Sequence, residues 1–390
     1  MYDICIIGGG ASGMTAAIAA HQKNDGAAIC IIEKNEILGR KILATGNGRC
    51  NLSNEGCENK DDTLDFLKRL GIYTRTDEEG RIYPYSEQAS QVRAILSDHA
   101  RTACSRIILG QSVSSVEKKD DVFVVKTEGG ETVEAQQLII ASGGKAAPQH
   151  GTTGDGYAFA KALGHTVTKL GPALTGVETE DDLSPLKGVR AKCEAYLFEG
   201  MDNIWREPGE VQFTEDGLSG ICIFNMVSMI RLRPGETYRE AMHRYEIGID
   251  LLPDFDEEEF IALLKQREQM EDIKKESRRL LATFVNDKIA DFIIEKSGTE
   301  AHELAAALKY SRFKVRSVKG WKDAQCTVGG VPYDEVDSET MKSLKTEGLY
   351  FAGEIMDYDG PCGGFNLQHA WETGIKAGKA AAADITRADD

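Results

Sequence analysis

The first 33 residues limit the fold of this chain more than any other stretch. An apolar run at residues 4–7 leads into Gly8-Gly9-Gly10-Ala11-Ser12-Gly13, small helix-forming residues follow to Ala20, and a second apolar run at 28–32 ends on Glu33. Gly8, Gly10 and Gly13 have the G-x-G-x-x-G spacing. In that pattern the first glycine allows a tight turn, the second lets backbone approach a pyrophosphate, and the third lets the helix pack closely on the strand. The anion then sits over a helix N-terminus, where free N–H groups and the dipole favour negative charge, and Ala11 and Ser12 open that helix. Glu33 stands 20 residues beyond Gly13, where a carboxylate can hydrogen-bond a ribose 2′-OH; Lys34 follows it. The pattern predicts a dinucleotide and does not by itself separate NAD from FAD.

With 390 residues the chain is long enough for two or three domains. Its formal charge of −17 disfavours non-specific attraction to nucleic-acid phosphates or an anionic membrane, so a small-molecule substrate is the expected partner. No apolar run approaches the ~18 residues of a spanning helix, and no basic leader with a cleavage site precedes the first strand. The nine cysteines include no C-x-x-C pair, so reduced thiols are expected. Together these features predict a cytoplasmic protein without a membrane segment, and no metal site is expected.

The segment from Gly39 to Asn54 is too rich in glycine and polar side chains for a regular element. Long loops of this kind are functional or merely connecting. Read as a binding loop, it offers Gly39, Arg40, Lys41, Thr45, Gly46, Gly48, Arg49, Cys50 and Asn51 for phosphate, ribityl and ring-edge contacts. Helices are expected near 63–70 and 88–104, and strands near 107–117, 122–127 and 132–141. The last of these feeds back into a parallel sheet and ends on Ser142-Gly143-Gly144. Ligands bind at the C-terminal ends of such strands, which makes these three residues further cofactor candidates. Another helix is expected at 157–163.

From about residue 166 short strand-like runs predict a separate β-rich domain, with strands at 189–198 and 210–213. Between 253 and 311 the pattern turns helical. Leu280, Leu281, Phe284, Val285, Ile289, Phe292 and Ile293 follow helical spacing and predict a buried helix face. The end of the chain returns to α/β character. A short apolar strand reaches Gly353 and Glu354, then Asp359 and Gly363-Gly364-Phe365-Asn366-Leu367 lead into a final helix. A second helix N-terminus returning to the cofactor favours FAD over NAD, because a reduced isoalloxazine carries negative charge that such an end stabilises.

Gly8 to Gly13, the Ala44-Thr45-Gly46-x-Gly48-Arg49-Cys50-Asn51 loop, Phe213-Thr214-x-x-Gly217-Leu218-Ser219-Gly220 and Gly363-Gly364-Phe365-Asn366-Leu367-Gln368 together resemble the HI0933-like flavoproteins. These are also called BaiN-like or YhiN-like NAD(P)/FAD-dependent oxidoreductases. The resemblance spans nearly the whole chain. It implies an α/β Rossmann-type FAD-binding domain of the glutathione reductase and fumarate reductase kind, at 1–167 and 325–390. It also implies an inserted β-barrel-like substrate domain at 168–253 and 312–324, and a small helical subdomain at 254–311. The chain departs from the family pattern at Asn47, where glycine is usual, and at Cys362, where threonine is common.

The implied reaction takes a hydride from NAD(P)H onto flavin and passes it to an activated, enone-like double bond. Tyr358, Asp359 and His369 are the candidate proton donors by their place in the C-terminal signature, and a packing role for His369 stands beside that reading. Two other readings remain: an amine oxidase of the aminoacetone-oxidase type that uses O₂, and a flavin-bearing RNA-modification or RNA-binding protein.

Overall fold

The computed structural model describes residues 1–230, 232–233, 235–270 and 276–385. The chain forms two compact units, one from Met1–Gly171 with Gln325–Asp390 and one from Pro172–Ala324.

The first unit is built on a parallel sheet. Strand β1 (Tyr2–Ile7) lies between β2 (Ile29–Ile32) and β9 (Thr132–Ile140), with Ile7 opposite both Ile32 and Ile140. One further parallel strand flanks β2, namely β6 (Arg106–Ile108). The other edge of β9 is shared. Its first half pairs antiparallel with β8 (Val122–Thr127), which pairs with β7 (Val113–Lys119). Its second half pairs in parallel with the C-terminal strand Leu349–Phe351. The expected strand at 107–117 is therefore two strands, β6 and β7. The chain leaves the sheet at Gly110, whose φ of +68° breaks the extended run.

Helix α1 (Ala11–Lys23) is buried from Ser12 to Ala20 and packs against the C-terminal helix Phe365–Ala383. The two backbones meet because two glycines face α1: a Cβ on Gly378 would lie 2.1 Å from the Ala16 carbonyl oxygen, and one on Gly374 would lie 2.4 Å from that of Ser12. Helices α2 (Lys60–Arg69), α3 (Ala89–Ala103) and α4 (Asp155–Ala162) stand where helices were expected, within a few residues. A small antiparallel sheet is added by β3 (Ser53–Asn54), β5 (Arg81–Pro84) and β4 (Thr74–Thr76), in that order. The loop after Gly39 is more regular than its composition predicts. It makes 3₁₀ turns over Arg40–Gly48, interrupted at Thr45, Gly46 and Asn47.

The second unit contains a closed six-stranded barrel in the order Val177–Thr179, Gly217–Ser219, Asp202–Phe213, Arg190–Glu199, Tyr245–Asp250, Ser311–Val318. Cys193, Ala195 and Leu197 alternate inward with Val211, Phe213, Ile247, Ile249, Phe313 and Val315 to fill it. Helices Glu257–Glu268, Asp287–Ser297 and Ala301–Lys309 belong to the same unit. The apolar series from Leu280 to Ile293 is not one helix. Leu280 closes a 3₁₀ turn, and Asn286 caps a new helix by accepting the Lys288 N–H at 2.9 Å, so the run is divided by a start signal that periodicity alone does not register.

One buried cation ties this unit together. Lys309 Nζ donates to Asp250 Oδ2 at 2.9 Å, to the Leu252 carbonyl at 3.0 Å and to the Phe255 carbonyl at 2.7 Å. All three ammonium protons are thereby used. Among the described residues no helix is long and apolar enough to cross a membrane.

Two stability changes are expected. Lys309→Met leaves a buried carboxylate unpaired and lowers unfolding free energy by about 3–5 kcal/mol in urea titration. Gly378→Ala drives a methyl group into helix backbone and costs about 1–3 kcal/mol.

Candidate cofactor and active site

Four parallel strands deliver their ends to one edge of the sheet. β1 ends on Gly8, β2 on Glu33, β9 on Ala141 and Ser142, and the C-terminal strand on Ala352 and Gly353. In an open α/β sheet this edge is where ligands bind.

The glycine turn supplies an open anion site. No side chain caps α1, its first turn holds no acid, and a Cβ on Gly10 would meet nothing within 4 Å. Gly13, by contrast, is a packing position, since its Cβ would lie 1.9 Å from the Gly8 carbonyl oxygen. Glu33 is buried beside the turn. Its Oε2 accepts the Gly9 N–H at 2.7 Å, and its Oε1 accepts the Asn35 N–H at 2.8 Å and Nδ2 at 2.6 Å. Lys34 reaches Thr153 and Asp155 at 2.5 Å each, and Arg40 holds Asn35 Oδ1 at 3.0 Å.

Lys41 pairs with Glu354 at 2.7 Å, and the other Glu354 oxygen accepts the Thr327 N–H at 2.9 Å. Thr327 Oγ1 in turn accepts the N–H groups of Lys145 and Ala146, just after Gly143 and Gly144. Gly144 is confined by Thr327 and Glu354, and Gly353 by Ser12. Ser142 Oγ is buried with no partner.

In the loop, Gly46, Asn47 and Gly48 all have positive φ; Asn47 at +55° thus occupies a left-handed position that asparagine tolerates. Thr45 Oγ1 donates to the Ile42 carbonyl at 2.7 Å, and the Thr45 carbonyl accepts the Cys50 N–H at 3.0 Å. The Arg49 guanidinium lies 4.6 Å from the Tyr83 ring centroid. Burial pushes the Cys50 thiol up to about 12, which keeps it protonated.

Asn51 ends the loop against the C-terminal helix. It is 8% exposed, its Oδ1 is buried without a partner, and that oxygen would lie 2.8 Å from a Cβ on Gly364. Gly364, at φ +109°, is the helix N-cap and carries no side chain to satisfy the first N–H groups. A buried orphan acceptor beside uncapped donors fits a planar ring that presents both a hydrogen-bond donor and developing negative charge. Asn366 Nδ2 donates to the Gly360 carbonyl at 2.7 Å and its Oδ1 accepts the Gly360 N–H at 3.0 Å, which folds the 358–364 loop onto the helix start. Phe365 approaches Gly56, and Leu367 packs on the apolar core. Cys362 is half-buried with its thiol pushed up by burial.

His369, one turn along the helix, is buried, and desolvation pulls it down to about 3. Its ring stacks on Tyr358 at 4.2 Å and 13°, and its Nε2 shares a 2.5 Å hydrogen bond with the Tyr333 hydroxyl. Burial pushes the Tyr358 phenol up to about 12. Asp359 is half-buried next to it in the chain. Tyr333, Thr327 and Tyr83 carry no motif signal and join these residues through tertiary structure alone. Gln368 lies inside the quoted C-terminal signature, and its role emerges from its contacts: Ser53 Oγ donates to it at 2.8 Å, and it donates to Thr63 Oγ1 at 2.9 Å.

The neutral His369 makes stability pH-dependent. The unfolded chain binds a proton near pH 6.5 that the folded chain refuses until about 3, so stability is full above 6.5 and falls as pH drops through this window. The slope from this group is at most about 1.4 kcal/mol per pH unit. His369→Gln is expected to flatten the melting-temperature profile between pH 6.5 and 4.

The model of the HI0933-like protein Rossmann domain matches residues 2–62 and 57–380. A 3-dehydro-bile acid delta(4,6)-reductase of Clostridium scindens is 32% identical over 416 residues, covering 98% of this chain and 99% of that protein. A ribosomal RNA dihydrouridine synthase of Escherichia coli is 29% identical over 402 residues, covering 95% and 96%. Among solved structures, the open conformation of a flavocytochrome c3 fumarate reductase shares the fold at a TM-score of 0.54 and 14% identity, covering 98% of this chain and 78% of that one. With this match over most of its length, an uncapped glycine turn for a dinucleotide and a second open helix end for its ring, the chain belongs to the HI0933-like family of FAD-dependent oxidoreductases.

Proposed function

We propose that the protein saturates a carbon–carbon double bond conjugated to a carbonyl, with NAD(P)H as the electron donor. The observation that carries this reading is that two relatives spanning almost the whole chain act on different molecules through one chemical unit. A 3-dehydro delta(4,6) steroid and a uracil ring both present C=C in conjugation with C=O.

Bound FAD supplies the hydride chemistry. The chain would hold it with Gly8, Gly10, Ala11 and Ser12 at the pyrophosphate and Glu33 at the ribose, with Gly13 packing the helix onto the turn. Lys34, Gly39, Arg40, Lys41, Thr45, Gly46, Gly48, Arg49 and Cys50 would contribute to holding it, with Ser142, Gly143, Gly144, Gly353, Glu354 and Asp359. Asn51 and the helix start at Gly363, Gly364, Phe365, Asn366 and Leu367 would take the ring. Tyr358 gives the proton to the carbon next to the carbonyl, because its raised phenol remains protonated at neutral pH. His369, uncharged, positions that phenol by stacking, and Tyr333 fixes the imidazole.

The test begins with anaerobic addition of NADH or NADPH to the purified flavoprotein. Bleaching followed by slow recovery in air is expected. No bleaching with either nicotinamide, together with rapid peroxide release on an amine, would establish an oxidase instead. Tyr358→Phe is expected to slow turnover of a conjugated enone about 100-fold or more while leaving the bleaching rate unchanged.

A further inference from the structure

The Phe213–Gly220 signature has no part in the reaction proposed above, and two cysteines from the chain on either side of it meet in the barrel unit. Cys193 stands opposite Gly209 in the register of strands Arg190–Glu199 and Asp202–Phe213. Directly opposed residues point to the same face of a sheet. Gly209 has no side chain, and Cys222 of the helix Ile221–Val227 fills the space: a Cβ on Gly209 would lie 3.0 Å from the Cys222 Cβ and 3.5 Å from its Sγ. The Cys193 and Cys222 thiols share a hydrogen bond there. Both are buried, yet Gly209 itself is exposed, so the pair lies one strand's thickness from water.

Another neighbouring pair shows what this arrangement adds. Cys5 and Cys30 stand opposite each other on β1 and β2, but burial raises both, and a thiol held protonated is a poor nucleophile. In the barrel the Cys193 S–H donates to Cys222. That donation raises Cys193 and lowers Cys222 against the cost of its burial, and the Ile223 N–H lowers Cys222 further. One sulfur is thereby prepared to attack while the other holds the proton beside it.

The geometry points to a peroxide-sensitive dithiol at Cys193 and Cys222 that closes to a disulfide inside the barrel unit. The Cys222 thiolate attacks one oxygen of hydrogen peroxide, the O–O bond breaks, and the second oxygen leaves as water, with Cys222 now a sulfenic acid. The Cys193 sulfur then attacks the Cys222 sulfur, the S–O bond breaks, and a second water leaves. Two thiols have lost two electrons and one peroxide has gained them; both thiol hydrogens end in water. A flavoenzyme reoxidised by O₂ makes this oxidant itself. The new bond ties strand Arg190–Glu199 to helix Ile221–Val227 and closes a loop that holds the whole Phe213–Gly220 signature, which removes freedom from the unfolded chain. The two cysteines are far apart in sequence, so no short cysteine motif marks them.

The experiment titrates hydrogen peroxide into the FAD-loaded protein, denatures it in iodoacetamide and maps the peptides by mass spectrometry. A cross-linked peptide joining Cys193 to Cys222, lighter by about two hydrogens and released by dithiothreitol, is expected as the first disulfide to form. The oxidised protein is expected to melt about 5 °C or more higher than the reduced one. Cys193→Ser is expected to stop at a Cys222 sulfenic acid that dimedone traps, without the melting shift. Oxidation of Cys57 or Cys362, both less buried, while Cys193 and Cys222 remain open to alkylation overturns the inference. So does a disulfide that joins either cysteine to another partner, or a cross-linked protein that melts lower than the reduced one. The wild-type peptide map decides the matter even where a variant fails to fold.

Discussion

The C-terminal helix rests backbone to backbone on α1, and the rest of the binding unit is arranged around that contact. Two glycines four residues apart remove the side chains that would hold the helices at an ordinary separation, and the small, buried face of α1 receives them. Packing at this distance is intolerant of added volume, because what lies opposite is backbone and not a flexible side chain. The result is a fixed relation between two helix N-termini, one at Gly10 and one at Gly364. Each is an uncapped positive pole, so a ligand with anionic or electron-accepting groups at both positions is recognised by spacing as much as by side chains.

The groups between these poles are mostly committed to one another. Lys41 neutralises Glu354, Thr327 fixes both Glu354 and the turn after β9, and Gln368 links the helix to Ser53 and Thr63. Against that background the unsatisfied Ser142 Oγ and Asn51 Oδ1 stand out, since buried polar atoms are rarely left alone. The stacked Tyr358 and His369 are both shifted by burial, in opposite directions. Desolvation removes the histidine's charge and strengthens the tyrosine's hold on its proton, so both rings are neutral at pH 7.

Much of this was legible in the sequence, for identifiable reasons. The strand, glycine turn, helix and acid of residues 1–33 are local, and each position is dictated by backbone geometry that only a few residue types satisfy. The Rossmann-type domain and the barrel-like insert followed from family resemblance. What failed was reading a period without its punctuation: Leu280 to Ile293 keeps helical spacing across a new helix start at Asn286, and residues 107–117 keep strand character across Gly110. What was invisible was anything brought in by tertiary packing. Tyr333 reaches His369 from 36 residues away and Thr327 reaches Glu354 from 27, and neither has a neighbour in sequence that marks it.

The binding unit is assembled from both ends of the chain, with the barrel unit between them. During synthesis the glycine turn and its first strands emerge early, yet the strand Leu349–Phe351 that completes β9 and the helix that covers α1 are made only after the inserted unit. Until they arrive, the Leu138–Ile140 edge is unpaired and one face of α1 is bare. The nascent protein must therefore wait, with an apolar helix face and an open strand edge in water, for the segment beyond the inserted unit to be made. The exposure time of those surfaces is set by the length of the inserted unit.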